Sequence, residues 1–397
     1  MTMLLQQGVT GQAQARPEAT ALVFKNTRLR YGELEEASNR LAWLLIAAGC
    51  RSGDRVGLLM PKMPAAIVAM LGVLKADAIY VPLDPASPAA RQARVLRVSD
   101  CRCILAAGPV ESNLRDALTA ATLAQPPIIG WLDEGPPSEG GPAPAFRLRD
   151  LSAYPATPPA CANSDDDVAH ILFTSGSTGI PKGVMITHAS VAHFLGWASS
   201  YFGTAPSDRI SQHPPLHFDL STFDIFGTLW AGAELHLVPQ ELNLLPHKLA
   251  QFIREARLTQ WFSAPSVLNL MAKFDVIARS EDAQAWSVAR ARYPEDRKGQ
   301  LTHQLAMKVS DSSWHRQLSE LGKTEAGAEN PYWLVPFQNY KAVCPFLVGS
   351  YDRVAEEVAR YVDVGYRTFI LDVPASVEEM HHTGVVFERA VARCVEA

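Results

Sequence analysis

The stretch best suited to chemistry is a glycine- and hydroxyl-rich loop that follows an apolar run, Asp167–Phe173. Its glycines let backbone amides turn inward, its hydroxyls add donors, and a lysine adds a positive charge. These groups suit a polyphosphate, so we predict a phosphate-binding loop with Lys182 as the catalytic residue. It is not a Walker loop, because the Gly-Lys-Ser/Thr ending is absent. The residues assigned to the loop are Thr174, Ser175, Gly176, Ser177, Thr178, Gly179, Lys182 and Gly183.

A second candidate is Asp219, in the apolar run Phe218–Gly227. A carboxylate in such a run is costly to bury unless it meets a cation, which fits a substrate with an amino group. The alternative is that Asp219 caps a helix, as Asp often does before an apolar periodic run. His213 and His217 lie close by, and lone histidines are more often packed or exposed than catalytic.

The elements that must position these residues alternate between apolar strands and amphipathic helices. Leu34, Ala37, Leu41 and Leu44 follow each other at the spacing of one buried helix face. The alternation predicts an α/β fold with layered subdomains around a largely parallel sheet. A Pro- and Gly-rich stretch is predicted to be a surface loop. The predicted elements are a helix from Tyr31 ending at Gly49, a strand at Val56–Met60, a helix at Ala65–Lys75, a strand at Ala78–Pro82 and the loop at Gly135–Pro159.

The composition describes a folded chain of 397 residues, long enough for two or three domains. Hydrophobic residues make up 48% and charged residues 19%, and the net charge of -5 argues against nucleic acid and anionic membranes as partners. No export signal or membrane span is visible, so we expect a cytoplasmic protein. The 6 cysteines are scattered, which favours reduced and mostly buried thiols.

The loop at 174–183 resembles the signature loop of the adenylate-forming superfamily, which includes the adenylation domains of nonribosomal peptide synthetases. Leu74–Pro85 is similar to a second motif of those domains, with Asp77 where the family usually has glycine, and Phe218–Gly227 is similar to a third. The resemblance implies ATP and Mg²⁺ as cofactors, a small carboxylic or amino acid as substrate, and a carrier protein as partner. It further implies that Asp219 pairs with the substrate's amino group and that the reaction yields an acyl-adenylate and pyrophosphate.

The resemblance ends after Leu258–Leu270. The later family motifs, which supply a magnesium-binding glutamate, a ribose-holding aspartate and a late catalytic lysine, are not found. We therefore assign no metal-ligating residue and predict a truncated AMP-binding domain at residues 1–272. Adenylation should be impaired, because the missing contacts stabilise the transition state.

The segment 273–397 resembles a different family. Its run from Leu347 to Leu371, with a capped helix, a glycine and an apolar strand, is similar to the closing units of luciferase-like flavin monooxygenases, which are (β/α)8 barrels. The resemblance implies a partial barrel, FMN as cofactor and a flavin reductase as partner. Lys341 and Arg367 are read as surface charges, and Trp314 and Trp333 as packed side chains.

Three function classes stay open from the sequence. The first is an ATP-dependent activator of an amino or carboxylic acid, impaired by its missing motifs. The second is an FMN-dependent monooxygenase component. The third is a noncatalytic remnant of an adenylation domain interrupted by a monooxygenase.

Overall fold

The computed structural model describes residues 4–133, 135, 142–174, 180–242, 246–263, 274–294, 296–301, 331–339, 345–363, 371, 374 and 376–395. The chain forms two compact units. Unit 1 comprises Met1–Gln240 and Leu258–Phe262, and unit 2 comprises Glu241–Arg257 and Ser263–Ala397. Among the described helices, none is both long and apolar enough to cross a membrane.

Unit 1 is built from short strands and longer helices in alternation. Its strands are β1 (Thr20–Phe24), β2 (Thr27–Arg30), β3 (Arg55–Leu59), β4 (Ile79–Leu83), β5 (Cys103–Ala106), β6 (Ile128–Trp131), β7 (Phe146–Arg147), β8 (Val168–Thr174), β9 (Lys182–Thr187), β10 (Arg209–Gln212) and β11 (Glu234–Leu237). Its longer helices are α1 (Leu5–Ala15), α2 (Tyr31–Ala47), α3 (Pro64–Lys75), α4 (Ala89–Ser99), α5 (Glu111–Ala121) and α6 (His188–Phe202). A last helical segment consists of α7 (Leu220–Thr222), a π-helical turn (Phe223–Gly227) and α8 (Thr228–Ala231).

The larger sheet of unit 1 has seven described strands in the order β7-β6-β5-β3-β4-β8-β9. All neighbours are parallel except β8 and β9, which form an antiparallel hairpin at one edge. Leu58 on β3 packs in a core with α2 and α3, and the next residue, Leu59, packs in a second core with α4 and α5. Because successive side chains of a strand point to opposite faces, helices cover both faces of this sheet.

A smaller sheet of unit 1 has the order β10-β11-β1-β2. Strands β10, β11 and β1 are parallel, and β1 and β2 form a hairpin. The predicted α/β class with largely parallel sheets is thus confirmed. The elements predicted between residues 31 and 82 are also confirmed, with boundaries that shift by a few residues at most.

Asp77 adopts the left-handed conformation at φ 57°, which explains why a glycine suits this position. The carboxylate of Asp77 accepts hydrogen bonds from the Ala162 amide at 2.7 Å and from Cys161 Sγ at 2.7 Å. These two bonds hold the turn between α3 and β4. Asp77 thus adopts the backbone conformation that glycine favours, and its carboxylate anchors the turn.

Unit 2 contains a three-stranded sheet in the order β12-β14-β13. Strands β12 and β14 are parallel, whereas β13 is antiparallel to β14. This is not the all-parallel arrangement of a (β/α)8 barrel, and the partial-barrel prediction is not confirmed. The described elements are α9 (Pro246–Glu255), β12 (Asp275–Arg279), α10 (Asp282–Arg292), β13 (Tyr332–Trp333), α11 (Val335–Gln338), β14 (Phe346–Ser350), α12 (Tyr351–Asp363) and α13 (Val377–Val395).

Some predictions for local structure need correction or fall outside the described residues. The predicted loop at Gly135–Pro159 contains β7 and a 3₁₀ helix at Leu148–Ala153, because Phe146 enters the core despite its Pro-rich surroundings. Trp333 is buried against Trp286 and Phe346, which confirms its packing role. Lys341, Arg367, Trp314 and the strand predicted after Gly365 lie mostly or entirely outside the described residues.

Candidate active site

The predicted phosphate loop spans the turn of the β8–β9 hairpin. Thr174, the last residue of β8, pairs directly with Lys182, the first residue of β9. The two ends of the loop are therefore held side by side, with the exposed Lys182 at its rim. Ser175, Gly176, Ser177, Thr178 and Gly179 lie outside the described residues. Because β8 is parallel to β4, the loop leaves the sheet at its carboxyl edge, where α/β folds bind their ligands.

Gly183 has a packing role in the hairpin. It pairs with Phe173, and a Cβ atom at Gly183 would lie 2.9 Å from Ile171 Cγ2 and 3.1 Å from Phe173 Cζ. A larger residue would push β9 away from these side chains. The close approach of the two strands therefore explains by itself why position 183 is a glycine. The assignment of Gly183 to the phosphate-binding loop stays a prediction.

A small cavity lies at the carboxyl ends of β4 and β8. Its volume is about 30 Å³, and its lining includes Asp84, Phe173 and His217. His217 Nε2 is 4.0 Å from Asp84 Oδ2, and the same carboxyl oxygen accepts a hydrogen bond from Ser87 Oγ at 2.9 Å. The cavity is of the size that holds one or two waters. His217 thus lies at the carboxyl edge of the sheet, where the β8–β9 connection begins, although it was predicted to be packed or exposed rather than functional.

Asp219 is exposed, and its Oδ1 accepts a hydrogen bond from the Leu220 amide at 2.9 Å. This contact places Asp219 at the N-terminus of α7, as the helix-cap interpretation expects. The cation argument made for a buried carboxylate therefore does not describe Asp219 in this structure. An exposed carboxylate is still available to an amino group, so its substrate role stays a prediction.

The buried carboxylate of this segment is Asp224, which the sequence analysis did not select. Asp224 is fully buried in the π-helical turn, and its Oδ2 accepts a hydrogen bond from the His213 amide at 3.3 Å. Burial raises the pKa of Asp224 well above its ordinary value, while the His213 bond and the charge of Lys62 act in the opposite direction. Lys62 Nζ also donates to the His213 carbonyl at 2.6 Å. The backbone of His213 is thus held at its amide by Asp224 and at its carbonyl by Lys62.

These contacts fix the chain between β10 and α7, the segment that carries His217 and Asp219. Lys62 follows β3 and therefore ties this segment to the carboxyl edge of the large sheet. The one sequence signal for Asp224 was its place inside an apolar run, the same signal that was applied to Asp219. No pattern in the sequence marked Lys62. Asp84 lies in the family-like stretch Leu74–Pro85, but nothing in that stretch indicated a role for its carboxylate.

We expect Asp224→Asn to raise the free energy of unfolding at pH 7 by about 1 kcal/mol, because it removes the cost of ionising a buried acid and keeps an acceptor for the His213 amide. Because the pKa of Asp224 is raised in the folded state, its contribution to stability is present at low pH and is lost as the pH rises. The stability gained by Asp224→Asn should therefore vanish near pH 4. Urea unfolding of the wild type and of Asp224→Asn at pH 7 and at pH 4 measures this difference in the free energy of unfolding. A loss above about 2 kcal/mol at pH 7 would instead indicate that the ionised carboxylate is well paired.

Comparison with known proteins identifies the family. A family model described as "AMP-binding enzyme" matches residues 9–334. The chain belongs to the AMP-binding enzyme family. The hairpin with its glycine-rich turn and the segment 213–227 lie within the matched region. The match also extends beyond residue 272, the predicted end of the first domain, and that boundary stays a prediction.

Curated members of this family align with roughly two thirds of the chain. An L-proline--[L-prolyl-carrier protein] ligase of Pseudomonas fluorescens is 35% identical over 255 residues, which is 64% of this chain and 49% of the ligase. Surfactin synthase subunit 2 of Bacillus subtilis is 36% identical over 273 residues, or 68% of this chain and 7% of the synthase. The chain thus spans about half of the ligase and less than a tenth of the synthase subunit.

Solved structures of the family share the fold. The nonribosomal peptide synthetase FmoA3 in its α-methyl-L-serine-AMP-bound form aligns with a TM-score of 0.57 and 30% identity, over 75% of this chain and 29% of that one. The N-terminal subdomain of Klebsiella oxytoca NpsA aligns with a TM-score of 0.53 and 25% identity, over 68% and 63% of the two chains. These matches agree with the layered parallel-sheet fold of unit 1.

Proposed function

We propose that this chain binds ATP with Mg²⁺ and activates an amino or carboxylic acid as its acyl-adenylate. In this reaction a carboxylate oxygen attacks the α-phosphorus of ATP, and the bond to pyrophosphate breaks. The observation that carries the proposal is the pairing of Thr174 with Lys182, which sets a hydroxyl and an ammonium group at the mouth of a glycine-rich turn. Membership of the AMP-binding family supports the same function.

Lys182 would stabilise the negative charge that gathers on the departing pyrophosphate. Asp219 lies five residues before Asp224, in the segment that Lys62 and Asp224 hold through His213. Asp219 would hold the substrate's amino group. Within the described residues, no group of three or more His, Cys, Asp or Glu side chains could hold a metal ion. We therefore propose that Mg²⁺ enters with the phosphates of ATP.

The names of the relatives support a finer proposal for the partner. The Pseudomonas fluorescens ligase is named for an L-prolyl-carrier protein, and the FmoA3 structure holds an amino-acyl adenylate. We propose a small amino acid as substrate and a carrier protein as the acceptor of the activated acyl group. The cytoplasmic location stays a prediction from the sequence.

We expect Lys182→Ala to weaken the binding of ATP with Mg²⁺ at least tenfold, or by about 1.4 kcal/mol, because a charge contact with phosphate is lost. Isothermal titration calorimetry on the full chain measures this change. Lys248→Ala, which removes another exposed lysine on α9, is the matched control and should bind like the wild type. Equal affinities of the wild type and Lys182→Ala would contradict the proposal.

Amino-acid-dependent exchange of labelled pyrophosphate into ATP tests the chemical step separately. We expect exchange far slower than that of the Pseudomonas fluorescens ligase measured alongside, because the ribose and late-lysine motifs are not found in the sequence. ATP binding without any exchange would support the noncatalytic interpretation. Neither binding nor exchange would reject the proposed function.

A second candidate is the FMN-dependent monooxygenase component predicted for residues 273–397. The observation that favours it is the pair of parallel strands β12 and β14, each followed by a helix. The antiparallel strand β13 speaks against a barrel. Titration of the full chain with FMN tests it, together with oxygen consumption in the presence of a flavin reductase. An unchanged FMN spectrum and no oxygen use would reject it.

A further inference from the structure

Unit 2 contains a cavity of about 190 Å³ beside strand β12. Its wall includes side chains of β12, of the end of α10, of β14 and of α13, all within unit 2. A cavity of about 150 Å³ admits benzene, whereas pockets for drug-sized ligands measure about 300–1,000 Å³. The cavity therefore suits a molecule slightly larger than benzene and is too small for a nucleotide.

Asp275 and Arg292 bring opposite charges to the wall of this cavity. Asp275, the first residue of β12, is only 7% exposed. Arg292 ends α10, and its guanidinium carbon lies 5.7 Å from the ring centroid of Tyr293. A third charged residue of the wall, Glu379, pairs with Arg279. Because that pair is neutral as a whole, Asp275 and Arg292 set the charge character of the cavity.

Apolar and aromatic side chains form another part of the wall. Phe346, the first residue of β14, is 2% exposed, and its ring centroid lies 5.0 Å from that of Tyr293. Val276 lines the same cavity and is 9% exposed. Such a wall favours a ligand with an apolar part over a simple ion, because binding removes the apolar surface of both from water.

We propose that this cavity binds an α-amino acid with a small aliphatic side chain. The ammonium group of the amino acid pairs with the carboxylate of Asp275, and its carboxylate pairs with the guanidinium of Arg292. The aliphatic side chain packs against Val276 and Phe346. A carboxylate has about four acceptor positions, so Asp275 can accept from the ammonium group alongside donors of the protein.

The two opposite charges explain why the ligand is a zwitterion rather than a simple amine or acid. An amine without a carboxylate would bring a second cation close to Arg292, and an acid without an ammonium group would bring a second anion close to Asp275. Either contact is costly in a cavity with little water, where charges are weakly screened. An amino acid satisfies both ends at once.

Isothermal titration calorimetry of the full chain without ATP tests this proposal, with L-leucine and L-valine as probes. We expect binding of one molecule per chain with a Kd on the order of 1 mM or below. For each probe, the amine and the acid of the same carbon skeleton lack one of the two charges. They should bind at least tenfold more weakly.

Two variants assign the binding to the cavity. In Asp275→Asn and in Arg292→Met the Kd should rise at least tenfold, because each removes one charge contact. Arg290→Met, at another exposed arginine of α10, is the matched control and should bind like the wild type. Far-ultraviolet circular dichroism establishes that each variant is folded, and Arg292→Met decides if the buried Asp275 cannot be replaced.

Asp219→Ala separates this cavity from the proposed active site of unit 1, and amino-acid binding should be unchanged in this variant. Binding that is lost in Asp219→Ala and kept in Asp275→Asn and Arg292→Met would overturn the proposal and support the proposed function instead. The absence of binding of both L-leucine and L-valine to the wild type at 10 mM would also overturn it. Loss of ATP binding in Lys182→Ala bears only on the proposed function.

Discussion

Lowering the pH from 7 to 4 is expected to remove about 3 kcal/mol of unfolding free energy for each of two buried histidines, His170 and His188, at 1.36 kcal/mol per unit of pKa shift. His170 lies in the middle of β8, and His188 is the first residue of α6. Both are fully buried. His170 therefore lies within the β8–β9 hairpin, and His188 follows it directly.

The cause is burial of both imidazole rings, which disfavours their protonated form. His170 stacks on Tyr80 with centroids 4.9 Å apart, and neither of its ring nitrogens has a hydrogen-bond partner in the described structure. His188 Nδ1 accepts a hydrogen bond from the Leu5 amide at 3.2 Å. Burial lowers the pKa of each histidine to about 4, although Asp167 and two other carboxylates oppose the shift at His188.

The sign of the effect follows from proton binding. Between pH 6.5 and pH 4 the unfolded chain protonates these histidines and the folded chain does not, so the stability falls as the pH falls. Asp224 acts in the opposite direction, because its raised pKa means that the folded state takes up a proton first. The change of the wild type's unfolding free energy with pH therefore combines the contributions of the two histidines and of Asp224.

Replacing His170 with Phe isolates one contribution, because Phe keeps the stack on Tyr80 and cannot be protonated. The unfolding free energy of His170→Phe, measured with urea, should fall by about 3 kcal/mol less than that of the wild type between pH 7 and pH 4. His193→Gln removes an exposed histidine of the same unit and should follow the wild type. Parallel pH profiles for His170→Phe and the wild type would contradict the buried, neutral state of His170.

The regular elements of unit 1 could be predicted from the sequence because their apolar residues recur at helix or strand spacing. Helix α2 and strand β3 begin where the pattern begins, since one buried face alone decides their positions. The β7 segment could not be predicted. Its two residues are held by pairing with β6 and by the burial of Phe146, contacts that lie far away in the sequence.

In the candidate site, too, residues of a contiguous motif could be predicted, whereas contacts between residues far apart in the chain could not. Lys182 could be selected because its glycine- and hydroxyl-rich surroundings are contiguous. Asp219 and Asp224 lie in one apolar run, and only the helical turn decides which of them faces the core. The contact of His217 with Asp84 joins positions far apart in the chain, so no spacing rule could indicate it.

Substituting Lys75 with Met is expected to lower the free energy of unfolding by about 3 kcal/mol, because it leaves the carboxylate of Glu35, whose side chain is only 12% exposed, without its cation. Lys75 is 4% exposed at the end of α3. Its Nζ contacts Glu35 Oε2 at 2.6 Å, Ser38 Oγ at 2.8 Å and Asn39 Oδ1 at 2.7 Å, all on α2. This lysine belongs to the family-like motif at 74–85, and its contacts give it the role of joining two helices.

The Lys75 ammonium is itself costly to bury. Burial lowers its pKa to about 8, although the charge of Glu35 opposes the shift. Between pH 8 and pH 10.5 the unfolded chain holds the proton that the folded chain releases, so the unfolding free energy should rise with pH in this window. Lys75→Met lacks this rise, which distinguishes loss of the ammonium from a general loss of packing.

A double substitution separates the pair from the rest of the core. Lys75→Met with Glu35→Gln removes both charges and keeps an acceptor for Thr10 Oγ1, which donates to Glu35 Oε1 at 3.0 Å. We expect the double variant to regain most of the stability lost in Lys75→Met, because buried pairs are replaced together at little cost. Lys25→Met, at an exposed lysine of the same unit, should stay within about 0.5 kcal/mol of the wild type. If the double variant is as unstable as Lys75→Met, the hydrogen bonds of Lys75 to Ser38 and Asn39, rather than its charge, join the two helices.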